Sequence, residues 1–217
     1  MVIERRTKRN LQAALDDILR EITMREPLTV ETTLAQTRNH FQRDQALYDA
    51  LYRALQDGAD LGVSVAVSQF EAIGFGFDWT LVNTAARQWA EQYTGSLIRN
   101  VEQTTVDAVR QSVSRWIGNS EPLQALIDDL TPTFGPKRAE RIAATELTRA
   151  FAEGNTIAYR ESGVVEKIEW RTARDERVCP QCGPLHGQAT ELGQTFDGHY
   201  PPRHVGCRCW IVPIIED

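Results

Sequence analysis

All four cysteines and three of the four histidines of this 217-residue chain fall between Trp170 and Val212; elsewhere there is only His40. Cys179-Pro-Gln-Cys182 has the two-residue gap that lets two thiolates reach one tetrahedral ion, and His204-Val-Gly-Cys207 repeats that gap with an imidazole. The two halves are separated by 21 residues. Together Cys179, Cys182, His204 and Cys207 make a Cys3His set that fills a structural zinc site and leaves no position for water. Cys209 is a fifth candidate and could replace His204, since residues two apart on a strand share a face at about 6.6 Å. It could equally be buried as a small apolar residue. The pattern predicts a zinc-held knot at one end of an otherwise helical protein. A reduced cysteine cluster and disulfides formed outside the cell are the alternatives.

A chain of this length can bury a real core as one large or two small domains. Its 24 Lys and Arg against 30 Asp and Glu give a net charge of −6, whereas a dedicated duplex-DNA binder carries a basic balance. Arg5-Arg6-Thr7-Lys8-Arg9 is a local basic patch, read first as a solvated end. No stretch approaches the roughly 18 apolar residues of a membrane span, and the N-terminus lacks an apolar signal-peptide core. A cytoplasm-like compartment is expected, where clustered cysteines more often bind metal than form disulfides.

Leu11, Leu15, Ile18 and Ile22 predict a helix over 7–24, ended by Pro27. A second helix is expected after Thr29, with Glu31 in its first turn. Leu47, Leu51, Leu55, Gly58, Gly62 and Val65 then hold helical spacing. Residues 62–68 also alternate like a strand, but the continuing stripe favours helix. Gly74-Phe-Gly-Phe77 reads as a break, and Asp78 as the N-cap of a helix over 79–117. The expected core face of that helix is Leu81, Ala85, Trp89, Tyr93, Leu97 and Val101, continued by Ala108, Ser112 and Trp116. A short helix follows through Leu130, and Thr131-Pro-Thr-Phe-Gly-Pro136 reads as a linker. The last helix should run from Lys137 to Ser162 with Gly163 as its C-terminal cap. Its face of small residues, Ala139, Ala143, Ala150, Gly154 and Ala158 with Leu147 and Ile157, admits a close neighbour and places Glu146 in its middle. That carboxylate needs a partner, an Arg or backbone amides, or else a functional role. Alternation over 165–172 and 207–212 predicts two antiparallel strands that would bring 175–182 next to 204–209. The expected fold is a mainly α long-helix bundle with a small C-terminal α+β, zinc-stabilised subdomain. It divides into an N-terminal helical region (1–76), a long-helix region (77–134), and a C-terminal helix with a β-hairpin and the Cys/His cluster (135–217).

Catalytic templates fit poorly. The His-x-Glu and Pro-Cys-x-x-Cys of zinc deaminases, His-Glu-x-x-His, the phosphate-cradling Gly-x-x-x-x-Gly-Lys loop and Gly-x-Ser-x-Gly are all missing. Three other readings stay open: a Cys182–His186 nucleophile, a metal-dependent nuclease or hydrolase using Asp175 with His186 or His199, and a plain zinc-binding adaptor.

The ordered set Ala144-Thr-Glu146, Gly154-Asn155, Tyr159, Gly163, Trp170, Thr172, Asp175, Cys179-x-x-Cys182, Gly187, Pro202 and His204-x-x-Cys207-Arg208-Cys209 resembles the Mu F-like phage head morphogenesis proteins. The likeness covers about residues 80–213. It implies a minor capsid protein of a tailed phage or prophage, present in few copies and oligomeric at the portal vertex. Its partners would be portal, capsid or scaffold proteins, with at most a weak DNA contact at packaging or ejection. It also implies a host-cytoplasmic stage during assembly and then the interior of the virion head. Some longer relatives carry a toxin or enzyme after this domain; only eight residues follow Cys209 here.

Overall fold

The computed structural model describes residues 2–24, 29–72, 78–119, 121–173 and 178–215. Among these, six α-helices precede a three-stranded antiparallel sheet. Pro27, the 74–77 break and Asp175 lie outside the described residues.

The chain forms two compact units, each made of two segments: 1–52 with 92–140, and 53–91 with 141–217. In the first, α1 (Val2–Thr23) buries Leu11, Leu15, Ile18 and Ile22 as their spacing predicts. It begins five residues earlier than expected because the Arg- and Lys-rich start is itself good helix former. Thr29 caps α2 (Val30–Arg43) in a reciprocal capping box with Thr32. The helical stripe then continues across a break. Asp44 ends α2, and its carboxylate accepts the Leu47 amide in the first turn of α3 (Gln45–Glu71) at 2.8 Å.

The 131–136 linker is overturned. α5 (Leu123–Phe134) carries Pro132 in its last turn, and only Gly135 separates it from α6 (Pro136–Ser162). Leu126, Leu130 and Phe134 are buried at i, i+4, i+8, and the Phe134 carbonyl accepts from Gln12 at 2.9 Å. This packing outweighs the local cost of proline. Arg138 donates to Thr105 Oγ1 and the Thr133 carbonyl, both at 2.9 Å, and Arg115 pairs with Asp129 at 2.9 Å.

In the second unit residues 62–68 are helical, within α3. Asp78 caps α4 (Trp79–Asn119), accepting the Thr80 and Leu81 amides. The buried face of the first turns of α4 is Val82, Ala86 and Ala90, one residue on from the predicted stripe; Leu81 is exposed, and Ala85 and Trp89 lie at the edge of the core. The buried side chains are small, so the helix packs close and its aromatics are displaced to the rim. α6 starts with Pro136 and ends at Gly163, whose φ of +67° suits glycine.

Strands β1 (Lys167–Arg171) and β3 (Trp210–Ile214) pair antiparallel, Trp170 opposite Ile211, and β2 (Ala189–Glu191) joins the other edge of β1. Alternation puts Ile168 and Trp170 inward, both fully buried. Trp170 meets Phe196 edge-on at 5.4 Å, in a core shared with Tyr159, Ile211 and the Cys182 and Cys207 side chains. No helix among the described residues is long and apolar enough to cross a membrane.

Candidate metal centre

Cys179 enters the cluster just after β1, and Cys207 and Cys209 leave it just before β3, so the β1–β3 pairing carries the two halves together. The first half is a tight turn: the Cys182 and Gly183 amides donate to the Cys179 carbonyl at 3.1 and 3.0 Å, and the Cys182 amide also reaches Cys179 Sγ at 3.4 Å. In the second half the Cys207 amide donates to the His204 carbonyl at 3.1 Å. Arg203 ties the halves by donating to the Gln181 carbonyl at 2.7 Å.

The donor atoms converge. Those of Cys179, Cys182 and His204 lie within 4.8 Å of one another, as do those of Cys182, Cys207 and Cys209. All four cysteines are free thiols, Cys182, Cys207 and Cys209 buried and Cys179 half-buried. Cys179 Sγ is 3.0 Å from His204 Nε2, and Cys182 Sγ is 3.9 Å from Cys207 Sγ. The second value matches the roughly 3.8 Å between sulfurs on a tetrahedral zinc, given Zn–S of about 2.3 Å. A cavity of about 240 Å³ is lined by these five donors with Ala173, Val178, Gly206 and Arg208. Soft sulfur donors with one imidazole are the chemistry of a thiophilic ion, so the residues present fit zinc.

The electrostatics of the cluster alternate. Although burial opposes it, the Cys182 and Gln181 amides, the Cys182 thiol and the nearby His204 ring hold the Cys179 thiol below its ordinary value. The Cys209 thiol, outweighing burial and helped by backbone amides, holds Cys207 down at about 5. Burial pushes Cys182 up to about 12, and the hydrogen bond to Cys207 together with burial pushes Cys209 up as well. The His204 ring is raised, mainly by the Val205 carbonyl, against burial.

Sequence reasoning missed the residues that hold the cluster. Thr145 Oγ1 on α6 accepts the Gly206 amide at 2.8 Å, and Thr148 Oγ1, one turn on, donates to the Cys207 carbonyl at 2.8 Å. Nothing in their spacing marks them, because hydroxyls in a helix usually bond back to their own turn. Glu146 between them, which the helical wheel singled out, pairs with Arg149 at 3.1 Å and its side chain is mostly buried.

Among the described residues, neither histidine of the enzyme readings falls in a group of donors that could hold a metal. His186 Nδ1 accepts the Thr172 amide at 3.0 Å and lies 3.0 Å from Thr172 Oγ1, while Cys182 Sγ faces Cys207. His199 closes a turn with Phe196.

Compared with known proteins, residues 103–212 match the family model described as Phage Mu protein F like protein. No curated protein and no solved structure gives a significant match. The matched stretch is a little over half of the chain and takes in the C-terminal part of α4, all of α5 and α6, and every residue of the Cys/His cluster. The chain therefore belongs to the phage Mu protein F-like family.

Proposed function

We propose that this protein is a structural minor component of a tailed-phage head, acting in capsid assembly at the portal vertex. In this reading the long helices dock on portal, capsid or scaffold proteins, and the C-terminal cluster is a zinc clasp that fixes the end of the fold. Zinc, when bound, supplies a cross-link between the two ends of a loop too rich in Gly, His and Pro to build its own core. Cys179, Cys182, His204, Cys207 and Cys209 are the residues that would hold it.

The observation that carries the reading is the surplus of protein donors. A hydrolytic zinc site keeps a position open for water; here five side-chain donors stand in two overlapping groups that share Cys182, and backbone and threonine hydrogen bonds hold the segment that carries them. That is how a cross-link is built. Membership of a phage family supplies the setting.

The test is to purify heads from the phage or prophage that carries the gene, with and without the intact coding sequence. Expected are a few copies of the chain per head by quantitative mass spectrometry, and malformed or non-infectious heads in its absence. Heads of normal composition and infectivity that never contain the chain would refute the proposal. Incubation of the zinc-loaded protein with DNA and divalent ions checks the nuclease alternative, which gains only if His186→Ala abolishes a reproducible cleavage.

A further inference from the structure

The five side chains of the cluster do not form one set. Cys179, Cys182 and His204 make one close group, Cys182, Cys207 and Cys209 another, and Cys182 is the member they share. All four cysteines are free thiols, and Cys182 Sγ stands 3.9 Å from Cys207 Sγ. A disulfide between these two would shorten that gap to about 2.0 Å. It would tie together residues 25 apart in the chain, one from each half of the cluster.

Access differs among the thiols. Cys182 and Cys207 are 1% and 2% exposed, whereas Cys179 is half-buried. All three line the cavity of about 240 Å³, which has room for hydrogen peroxide, a molecule little larger than a water of about 30 Å³. Cys179 therefore meets an oxidant first. The Cys182 amide donates to its sulfur at 3.4 Å and so keeps it beside the residue that carries the next thiol. Exchange at a disulfide needs the attacking and leaving sulfurs on different sides of the sulfur attacked. Cys179 and Cys207 are each close to Cys182 but belong to different groups, and that placement suits an attack by Cys207 on a Cys179–Cys182 bridge.

We propose that Cys182 and Cys207 are a redox pair, and that Cys179 is the thiol through which a peroxide reaches it. Hydrogen peroxide transfers one oxygen to the Cys179 sulfur, giving a sulfenic acid and water. The Cys182 sulfur attacks the sulfenic sulfur, the S–O bond breaks, and the hydroxyl leaves with the Cys182 proton as a second water. The Cys207 sulfur then attacks Cys182, and Cys179 departs as a thiol with the proton that Cys207 gives up. Two thiols are oxidised and one peroxide is reduced. The product joins the two halves by a covalent bond where the zinc clasp would join them by a metal. The pairing stands on the positions of the sulfurs and goes beyond the zinc reading.

The experiment treats the full chain, as purified and after a chelator, with limited hydrogen peroxide. Alkylation then quenches it, and peptides are mapped by mass spectrometry without reduction. Expected in wild type is an intramolecular Cys182–Cys207 link that consumes two of the four thiols and is reversed by dithiothreitol. Cys207→Ser should stop at a Cys179–Cys182 link, and Cys179→Ser should need more peroxide to reach the Cys182–Cys207 link. A wild-type end product linking Cys182 to Cys179 or to Cys209, or cysteines oxidised to sulfinic acid with no disulfide, would overturn the pairing. Cys179→Ser that reacts as fast as wild type would overturn the entry role. The wild-type map decides the pairing even if Cys207→Ser fails to fold. The zinc reading is judged separately: a chelator that leaves the rate unchanged counts against the clasp and leaves the redox pair standing.

Discussion

Gly62 on α3 and Gly154 on α6 form the crossing point of the two helices, and neither has room for a β-carbon. One added to Gly62 would collide with the Phe151 carbonyl, and one added to Gly154 with the Ala59 carbonyl. Both obstacles are backbone, which a side-chain rotation cannot relieve. Alanine normally favours a helix over glycine by about 1 kcal/mol, but forced overpacking costs about 1–3 kcal/mol. Gly62→Ala and Gly154→Ala should therefore each destabilise the protein, toward the upper end of that range. Gly95 of α4 is the control, because its β-carbon would meet only the Arg99 guanidinium at 3.5 Å. Gly95→Ala should stabilise by about 0.5–1 kcal/mol. Urea denaturation of the three variants measures this; a neutral Gly154→Ala would refute the close crossing.

His186 braces the residue that follows β1. Its Nδ1 is the acceptor for the Thr172 amide, next to the end of β1, and Thr172 is buried. His186→Ala takes that acceptor away, and a buried amide left unsatisfied costs about 1–3 kcal/mol. The variant should melt earlier yet bind as much zinc as wild type does, and His186→Asn, whose amide oxygen can accept, should recover part of the loss. Zinc loss from a folded His186→Ala would show that the ring belongs to the metal site after all.

What the sequence disclosed, and what it withheld, follows from how local each determinant is. The Leu11–Ile22 stripe, the Thr29 and Asp78 caps, Gly163 and the alternating strands are decided by neighbours within a turn or a pair. The Cys-x-x-Cys and His-x-x-Cys gaps are equally local, so the clustering of these residues was legible, and their meeting followed from β1 pairing with β3. Pro132 misled because burial of Phe134, a tertiary effect, keeps α5 helical through a residue that usually ends helices. On α4, two series spaced by four run side by side. The aromatic one, with Trp89, drew attention, but close packing selected the small one, Val82-Ala86-Ala90. The roles of Thr145 and Thr148 were hidden for the same reason: their partners are some 60 residues away in the chain.

Tyr200 gives the protein an alkaline limit. Burial, against the 2.6 Å hydrogen bond with Thr156, pushes its phenol up to about 12. The folded state thus favours the neutral phenol, while the unfolded chain ionises it near pH 10. This contribution is fully present below about pH 10 and is lost as pH rises from there to about 12, by about 2–3 kcal/mol. Tyr200→Phe should cost about 1 kcal/mol at pH 8 through the missing hydrogen bond, yet lose less than wild type on going to pH 11. Denaturant midpoints of both proteins at the two pH values test it; parallel losses would show that Tyr200 is not the group responsible.

If zinc holds the cluster as proposed, removing it should open the clasp and spare the helices. The segment 178–209 contains one turn of 3-10 helix, the three-residue β2 and several positive-φ glycines, so its order depends on the cluster more than on its own hydrogen bonds. The helices bury apolar faces that owe nothing to zinc, such as Leu11 to Ile22 in α1 and Leu126 to Phe134 in α5. On treatment with a strong chelator, far-ultraviolet circular dichroism should change little, while amide exchange accelerates across 178–209 and the thiols become open to alkylation. Cys179 should be modified first: it is the least buried of the four, and its thiol is held below the ordinary value, so more of it is thiolate at neutral pH. Peptide mapping after brief iodoacetamide exposure gives the order. Helical signal that collapses together with the cluster would mean that the clasp holds up the entire fold, and exchange rates unmoved by the chelator would mean that no metal had been holding the segment at all.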